Sequence, residues 1–172
     1  MKRKESPGQL NHQPQPDRAP VVSLAVFAII WQLAVIYGFN TLHKGGANWM
    51  DGTAVAWTLE QDRIVTWIGQ WARDAWPLWI FQVMTWGTLI IEGIAPLLLL
   101  SPIGTVWTRR VAFVSLTALH VGIFLLTDVG LFSPTMVVAY LILLSTADIE
   151  LLRRALRRLA GPPVIVAYDS DC

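Results

Sequence analysis

YGFNTLHKGGANWMDGTAVAWTL, residues 37–59, begins as the end of an apolar helix and turns into a polar, Gly- and Trp-rich segment. This is where the chain is expected to leave a membrane. With the preceding helix continued to Lys44, residues Tyr37, Asn40, Thr41 and Lys44 fall at i, i+3, i+4 and i+7 and share one face. Four polar groups in one stripe turn away from lipid and toward protein. The Gly45-Gly46 pair is expected to end the helix, since residues without a Cβ supply the unusual backbone angles of a helix exit.

Upstream of this stretch lies an apolar run of about 22 residues, Val21 to Leu42, which at ~1.5 Å per residue spans ~33 Å and is predicted as the first transmembrane helix. Residues 1–20 before it are polar and rich in Pro and Gln, and open with Lys2, Arg3 and Lys4. Such a segment cannot bury enough apolar surface to fold, and a disordered tail is expected. The run is longer than the apolar core of a signal peptide and has no clear small-x-small cleavage site after it.

Downstream, residues 45–77 carry Trp49, Trp57, Trp67, Trp71 and Trp76, with Ile64, Trp67, Ile68 and Trp71 at the spacing of one helix face. An interfacial helix along the membrane surface is predicted, because indole has an apolar body and an N–H that seeks a partner. Residues 78–100 form a second predicted span, interrupted by Glu92 and Pro96. A basic loop, residues 101–110, leads to two further apolar stretches, residues 111–127 and 131–147. Ser133-Pro134 has the pattern of an N-cap followed by Pro at the first helical position. Residues 148–160 are predicted as a basic helix on the cytoplasmic side.

Composition agrees with this reading. The chain is 54 % hydrophobic and 15 % charged, with a mean hydropathy of +0.49 and nine Trp, which places it among membrane proteins. A net charge of +1, with no basic stripe interleaved with aromatics, excludes a nucleic-acid partner. Ten of the 13 Lys and Arg lie before the first span, between the second and third, or after the fourth. The asymmetry predicts both ends in the cytoplasm, the membrane being the bacterial inner membrane. The expected fold is therefore an all-α bundle of four transmembrane helices, residues 21–147, with an interfacial Trp-rich segment.

Three blocks of this sequence resemble the vitamin K-dependent gamma-carboxylase family and its bacterial relatives, the horizontally transferred transmembrane (HTTM) domain proteins. The first is a helix ending in Tyr37 and followed by Lys44 and Trp49-x-x-Gly52. The second is the intramembrane acid in IIEGIAPLLLL, residues 90–100. The third is HVGIFLLTDVGLFSPTM, residues 120–136, which is similar to the family's His followed by Gly-Leu-Phe-Ser-x-x-Met. The final VIVAYDSDC resembles the opening strand of a DCC-type thiol-disulfide oxidoreductase, but the chain stops at Cys172, its single cysteine, and no redox cycle is expected without a resolving partner. Family members carry additional helices before the Tyr-to-Lys helix. The resemblance thus implies a fragment or split member, with a second membrane chain as partner.

The resemblance implies that Lys44 is a base acting on a quinone or another membrane-soluble molecule, chemistry that needs a neutral amine. An interfacial anchor is the alternative, since a lysine at a helix end reaches water by snorkelling. Tyr37, Asn40 and Trp49 are the accompanying candidates for binding such a cofactor. Glu92 and His120 are ionisable residues inside predicted spans, each a site candidate by its cost in lipid. Counted from the cytoplasmic helix ends, they lie ~12 and ~14 Å deep and are expected to pair. Both are candidates for catalysis or for an interhelical hydrogen bond. The same count separates Lys44 from Glu92 by more than half the bilayer. His12, His43 and His120 are scattered, and no metal-ligand spacing is present. A non-catalytic membrane subunit and a DoxX-like four-helix protein are the other functional classes compatible with these features.

Overall fold

A computed structural model describes residues 24–160; the expected tail, residues 1–20, and the linker and DCC-like strand, residues 161–172, lie outside them. The order is α1 (Leu24–His43), α2 (Ala47–Met50), α3 (Ala54–Leu59), α4 (Trp67–Ala75), α5 (Leu78–Leu100), α6 (Thr105–Leu126), α7 (Phe132–Tyr140), a 3-10 turn (Leu141–Leu143) and α8 (Thr146–Ala160). The protein is an all-α integral membrane bundle. Helices α1, α5 and α6 are long and apolar enough to cross a bilayer. Each turns most of its surface outward, with Phe27, Trp31, Val83, Ile90, Val114 and Phe124 exposed, as helices do when lipid is the solvent.

Helix α5 has the predicted limits, with Pro96 inside it. Helix α6 starts earlier than predicted, at Thr105, so that Arg109 and Arg110 are helical and not in a loop. The fourth apolar segment is shorter than residues 131–147. Nine α-helical and three 3-10 residues reach only ~20 Å, and the backbone turns extended at Leu144. Ser133 is not its cap: the helix has already begun at Phe132, and the buried Ser133 hydroxyl has no hydrogen-bond partner. Gly45 and Gly46 also differ from expectation. The helix does end just before them, but neither has a positive φ.

The register between α1 and α5 positions the site. Gly38 lies against Pro96 and Gly93 against Thr41, with an added Cβ meeting those side chains at 3.6 and 3.4 Å. Antiparallel helices with flush ends would not make these contacts. The end of α1 therefore sits at mid-length of α5, and the first half of α5 is left for the Trp-rich segment to cover. That segment is not one interfacial helix but three short ones. Val55 N–H donates to Thr85 Oγ1 at 3.1 Å, and Trp86 Nε1 donates to the Met50 carbonyl at 3.3 Å. Gly52 has φ +76°, and a Cβ there would stand 2.9 Å from the Trp86 ring. Both facts require glycine in the Trp-x-x-Gly pattern.

Two apolar clusters result. One joins Ile30, Leu33 and Tyr37 to Leu99, Leu116, Tyr140 and Leu143. The other joins Leu59, Val65, Ala72, Phe81 and Leu126 beneath α4. The predicted apolar face of α4 is divided: Trp67 and Trp71 are exposed, Ile68 packs against this second cluster, and Gly69 and Ala72 are buried. Thr66 sets this orientation: its hydroxyl accepts from Gly69 N–H as an N-cap and donates to the Leu125 carbonyl at 2.6 Å. This fastens α4 to the end of α6. A Cβ on Gly69 would lie 2.3 Å from the Leu126 carbonyl oxygen. Gly69→Ala should therefore lower unfolding stability by about 1–3 kcal/mol through overpacking, read by denaturant or thermal unfolding in detergent; an unchanged midpoint would mean that α4 is not seated there.

Ser145 and Asp148 form a reciprocal box at the start of α8. Ser145 N–H donates to Asp148 Oδ2 at 3.0 Å, and Asp148 N–H donates to Ser145 Oγ at 3.3 Å, the capping-box arrangement. Arg110 of α6 pairs with the same carboxylate at 2.7 Å. Its hydrogen bond, and then that of Ser145, hold the Asp148 carboxyl down at about 2. A depressed carboxyl stabilises above its unfolded value, near ~4, and loses that contribution as pH falls through the folded one. Amide protection factors in the first turn of α8, corrected for intrinsic exchange, should thus be constant above pH ~4 and fall only between pH ~4 and ~2; a fall near neutral pH would contradict the pairing.

Candidate functional site

Lys44 is the first residue past α1, its N–H donating to the Thr41 carbonyl at 3.2 Å. Its ammonium donates to Glu92 Oε2 in an ion pair. The ammonium also stands 4.7 Å from the centre of the Trp49 ring, a cation–π contact. Glu92 is 5 % exposed. The expected separation of Lys44 from Glu92 is thus corrected, because the helix ends are staggered and not flush.

His120 does not pair with Glu92. Its Nε2 lies 3.0 Å from the Tyr37 hydroxyl, which is also hydrogen-bonded to the Tyr140 hydroxyl. His120 is 2 % exposed, with its ring against Phe132 and Tyr140. The three groups form a chain of two hydrogen bonds that can run either way. If Tyr37 donates to His120, the protonated Nδ1 is left without a partner, and Nδ1 is buried and unpartnered. If His120 donates to Tyr37, the unpaired proton is on Tyr140. The chain can therefore carry its spare proton at either end.

Beside the ion pair is a cavity of about 460 Å³. Its polar end holds Lys44, Glu92 and Trp49, with Thr58 and Thr88 nearby, and its walls are Leu59, Met84, Ile91, Leu119, Ile123 and Leu126. Gly87 of α5 and Gly122 of α6 line it, and a Cβ on either would meet nothing within 4 Å. A side chain at either position would extend into open space. An apolar chamber with one charged end is suited to an amphiphilic small molecule.

Of the sequence candidates, the structure gathers Lys44, Glu92 and Trp49 around this cavity. Tyr37 and His120 form their own cluster outside its lining, and Asn40 is exposed and borders neither. Tyr140 is the residue that sequence reasoning missed. Its signal is a phenol inside an apolar run, where a buried hydroxyl needs a partner. Among the described residues, no group of three or more His, Cys, Asp or Glu is placed to hold a metal.

Outward-facing apolar helices around a buried ion pair define an integral membrane protein with an intramembrane polar site. A family model described as the HTTM domain matches residues 9–148, most of the 172-residue chain, and the protein belongs to the HTTM domain family. Comparison with curated proteins and with solved structures gives no match.

Proposed function

We propose that the cavity binds a quinone or a similar lipid-soluble molecule, entering from the bilayer, with its polar ring at Lys44 and its chain along α5 and α6. The observation that carries this reading is the Lys44–Glu92 pair closing one end of an otherwise apolar chamber. It agrees with the resemblance of Tyr37, Lys44 and Trp49-x-x-Gly52 to the carboxylase family. Glu92 serves as the net proton acceptor: Lys44 hands a proton to Glu92 and takes one from the hydroquinone hydroxyl. The O–H electron pair stays on oxygen as a phenolate beside the restored ammonium. Charge is conserved, and the phenolate gains a fixed cation in a site of low dielectric. Tyr37 and His120 support α1 against α6 and α7 without touching the ligand.

Orientation follows from the same proposal. Arg109, Arg110, Arg153, Arg154, Arg157 and Arg158 mark the cytoplasmic side by their excess over Lys44, Arg63 and Arg73. The test is titration of a reduced naphthoquinone into the protein in lipid nanodiscs, following phenolate absorbance and ligand retention. Wild type should bind and ionise the ligand. Lys44→Arg should bind but not ionise it, because guanidinium does not give up its proton. Gly122→Leu should narrow the chamber and weaken both, with an unchanged unfolding midpoint. Phenolate formation in the Arg variant would end the base assignment, and full binding by Gly122→Leu would remove the ligand from this cavity.

A further inference from the structure

Helix α8 lies after the spanning helices, and its apolar side is left uncovered. Ile149, Leu152 and Leu156 fall at i, i+3 and i+7, share a face, and are all exposed. Arg153 and Arg157 flank this strip, and with Ile149, Leu152 and Leu156 they line a shallow groove formed by α8 alone. Arg154 and Arg158 lie on the opposite side, and Glu150 between the two sides pairs with both Arg153 at 3.6 Å and Arg154 at 3.5 Å. The helix carries four arginines against Asp148 and Glu150, and Asp148 is already neutralised by Arg110.

The position of α8 fixes what this surface meets. Its first turn is tied to Arg110, whose guanidinium lies 5.2 Å from the Trp107 ring. Trp107 and Ile103 are both exposed at the turn between α5 and α6. An exposed Trp beside a half-buried Arg at the end of spanning helices marks the headgroup level of a bilayer. The chain thus enters α8 at that level with an apolar strip and net positive charge.

We infer that α8 lies in the plane of the membrane and binds an anionic lipid surface, with Ile149, Leu152 and Leu156 in the acyl boundary and Arg153 and Arg157 on lipid phosphates. Long arginine stems beside an apolar strip let the charged ends snorkel to phosphate while the stems stay on the apolar side. Arg154 and Arg158, facing away, add long-range attraction only, and salt screens it.

The test uses full-length protein with Cys172→Ser and a spin label introduced at Leu152, Leu156 or Arg154. It is reconstituted in phosphatidylcholine alone or mixed with phosphatidylglycerol. In the anionic bilayer the labels at 152 and 156 should be at similar depth below the headgroups and the label at 154 in water. Omitting phosphatidylglycerol, or making Arg153→Gln with Arg157→Gln, should reduce the immersed fraction several-fold; Arg154→Gln with Arg158→Gln should change it little. The Gln pair should leave the bundle's unfolding midpoint unchanged, so that loss of immersion is not loss of fold. Water-exposed labels at 152 and 156 in the anionic bilayer would overturn the inference. So would equal immersion in both lipids, or spin–spin broadening between copies, which would mean that a second chain covers the strip.

Discussion

Replacing Lys44 by Met, or Glu92 by Leu, should each lower unfolding stability by about 3 kcal/mol, while the double variant should be more stable than either single one. Each single change leaves one charge in the bundle without its partner. Glu92 is nearly sealed, with a side-chain exposure of 6 %, whereas Lys44 keeps 21 % and a ring face at Trp49. The Glu92→Leu loss therefore falls below the Lys44→Met loss, because a lone ammonium retains water and the indole while a lone carboxylate retains neither. With both charges gone, two apolar side chains of similar length fill the same space. The measurement is a double-mutant cycle by denaturant unfolding in one detergent. Losses that add would show that the pair is not coupled, and would also remove the polar end from the proposed ligand site.

This pair shows where sequence reading succeeds and where it stops. The limits of α5 were legible because apolar length and a Pro-compatible membrane helix are local properties. The inward position of Glu92 was legible because a carboxylate in lipid is costly. Its partner was not. Pairing depends on how far two antiparallel helices slide along each other, and that is set by side chains such as Pro96 on Gly38 and Thr41 on Gly93. None of these carries a periodic signal. With this slide Lys44 at the end of α1 meets Glu92, and Tyr37 on the same helix meets His120.

The division of the Trp-rich segment into three short helices was not legible, for a related reason. Ile64, Trp67, Ile68 and Trp71 have helical spacing, but Ile64 precedes the helix, and the Thr66 cap turns Gly69 and Ala72 inward. Close packing selected the residues without bulk, where hydropathy selects the aromatics. The glycines were partly legible. Gly52 belongs to a recognisable pattern with a positive φ, whereas Gly87 and Gly122 matter for the space beside them, which no sequence pattern reports.

The second large effect is expected at Tyr37. Its hydroxyl is the middle member of a three-group chain and the shared partner of His120 Nε2 and Tyr140. Tyr37→Phe removes both hydrogen bonds while keeping the ring, so two buried polar groups lose their partner at once. Each unsatisfied group costs about 1–3 kcal/mol, which gives a combined loss of roughly 2–6 kcal/mol. Tyr140→Phe leaves the Tyr37–His120 bond in place and removes one end of the chain, for a loss of about 1 kcal/mol. The ordering is the discriminating result, since both changes delete a single oxygen from a fully buried ring. Both variants should be unfolded under the same conditions, with the imidazole of His120 followed by NMR. In Tyr37→Phe the Nε2 environment should change, and in Tyr140→Phe it should stay close to wild type. Equal losses, or an unperturbed imidazole in Tyr37→Phe, would mean that Tyr37 is not the hub that ties α1 to α6 and α7.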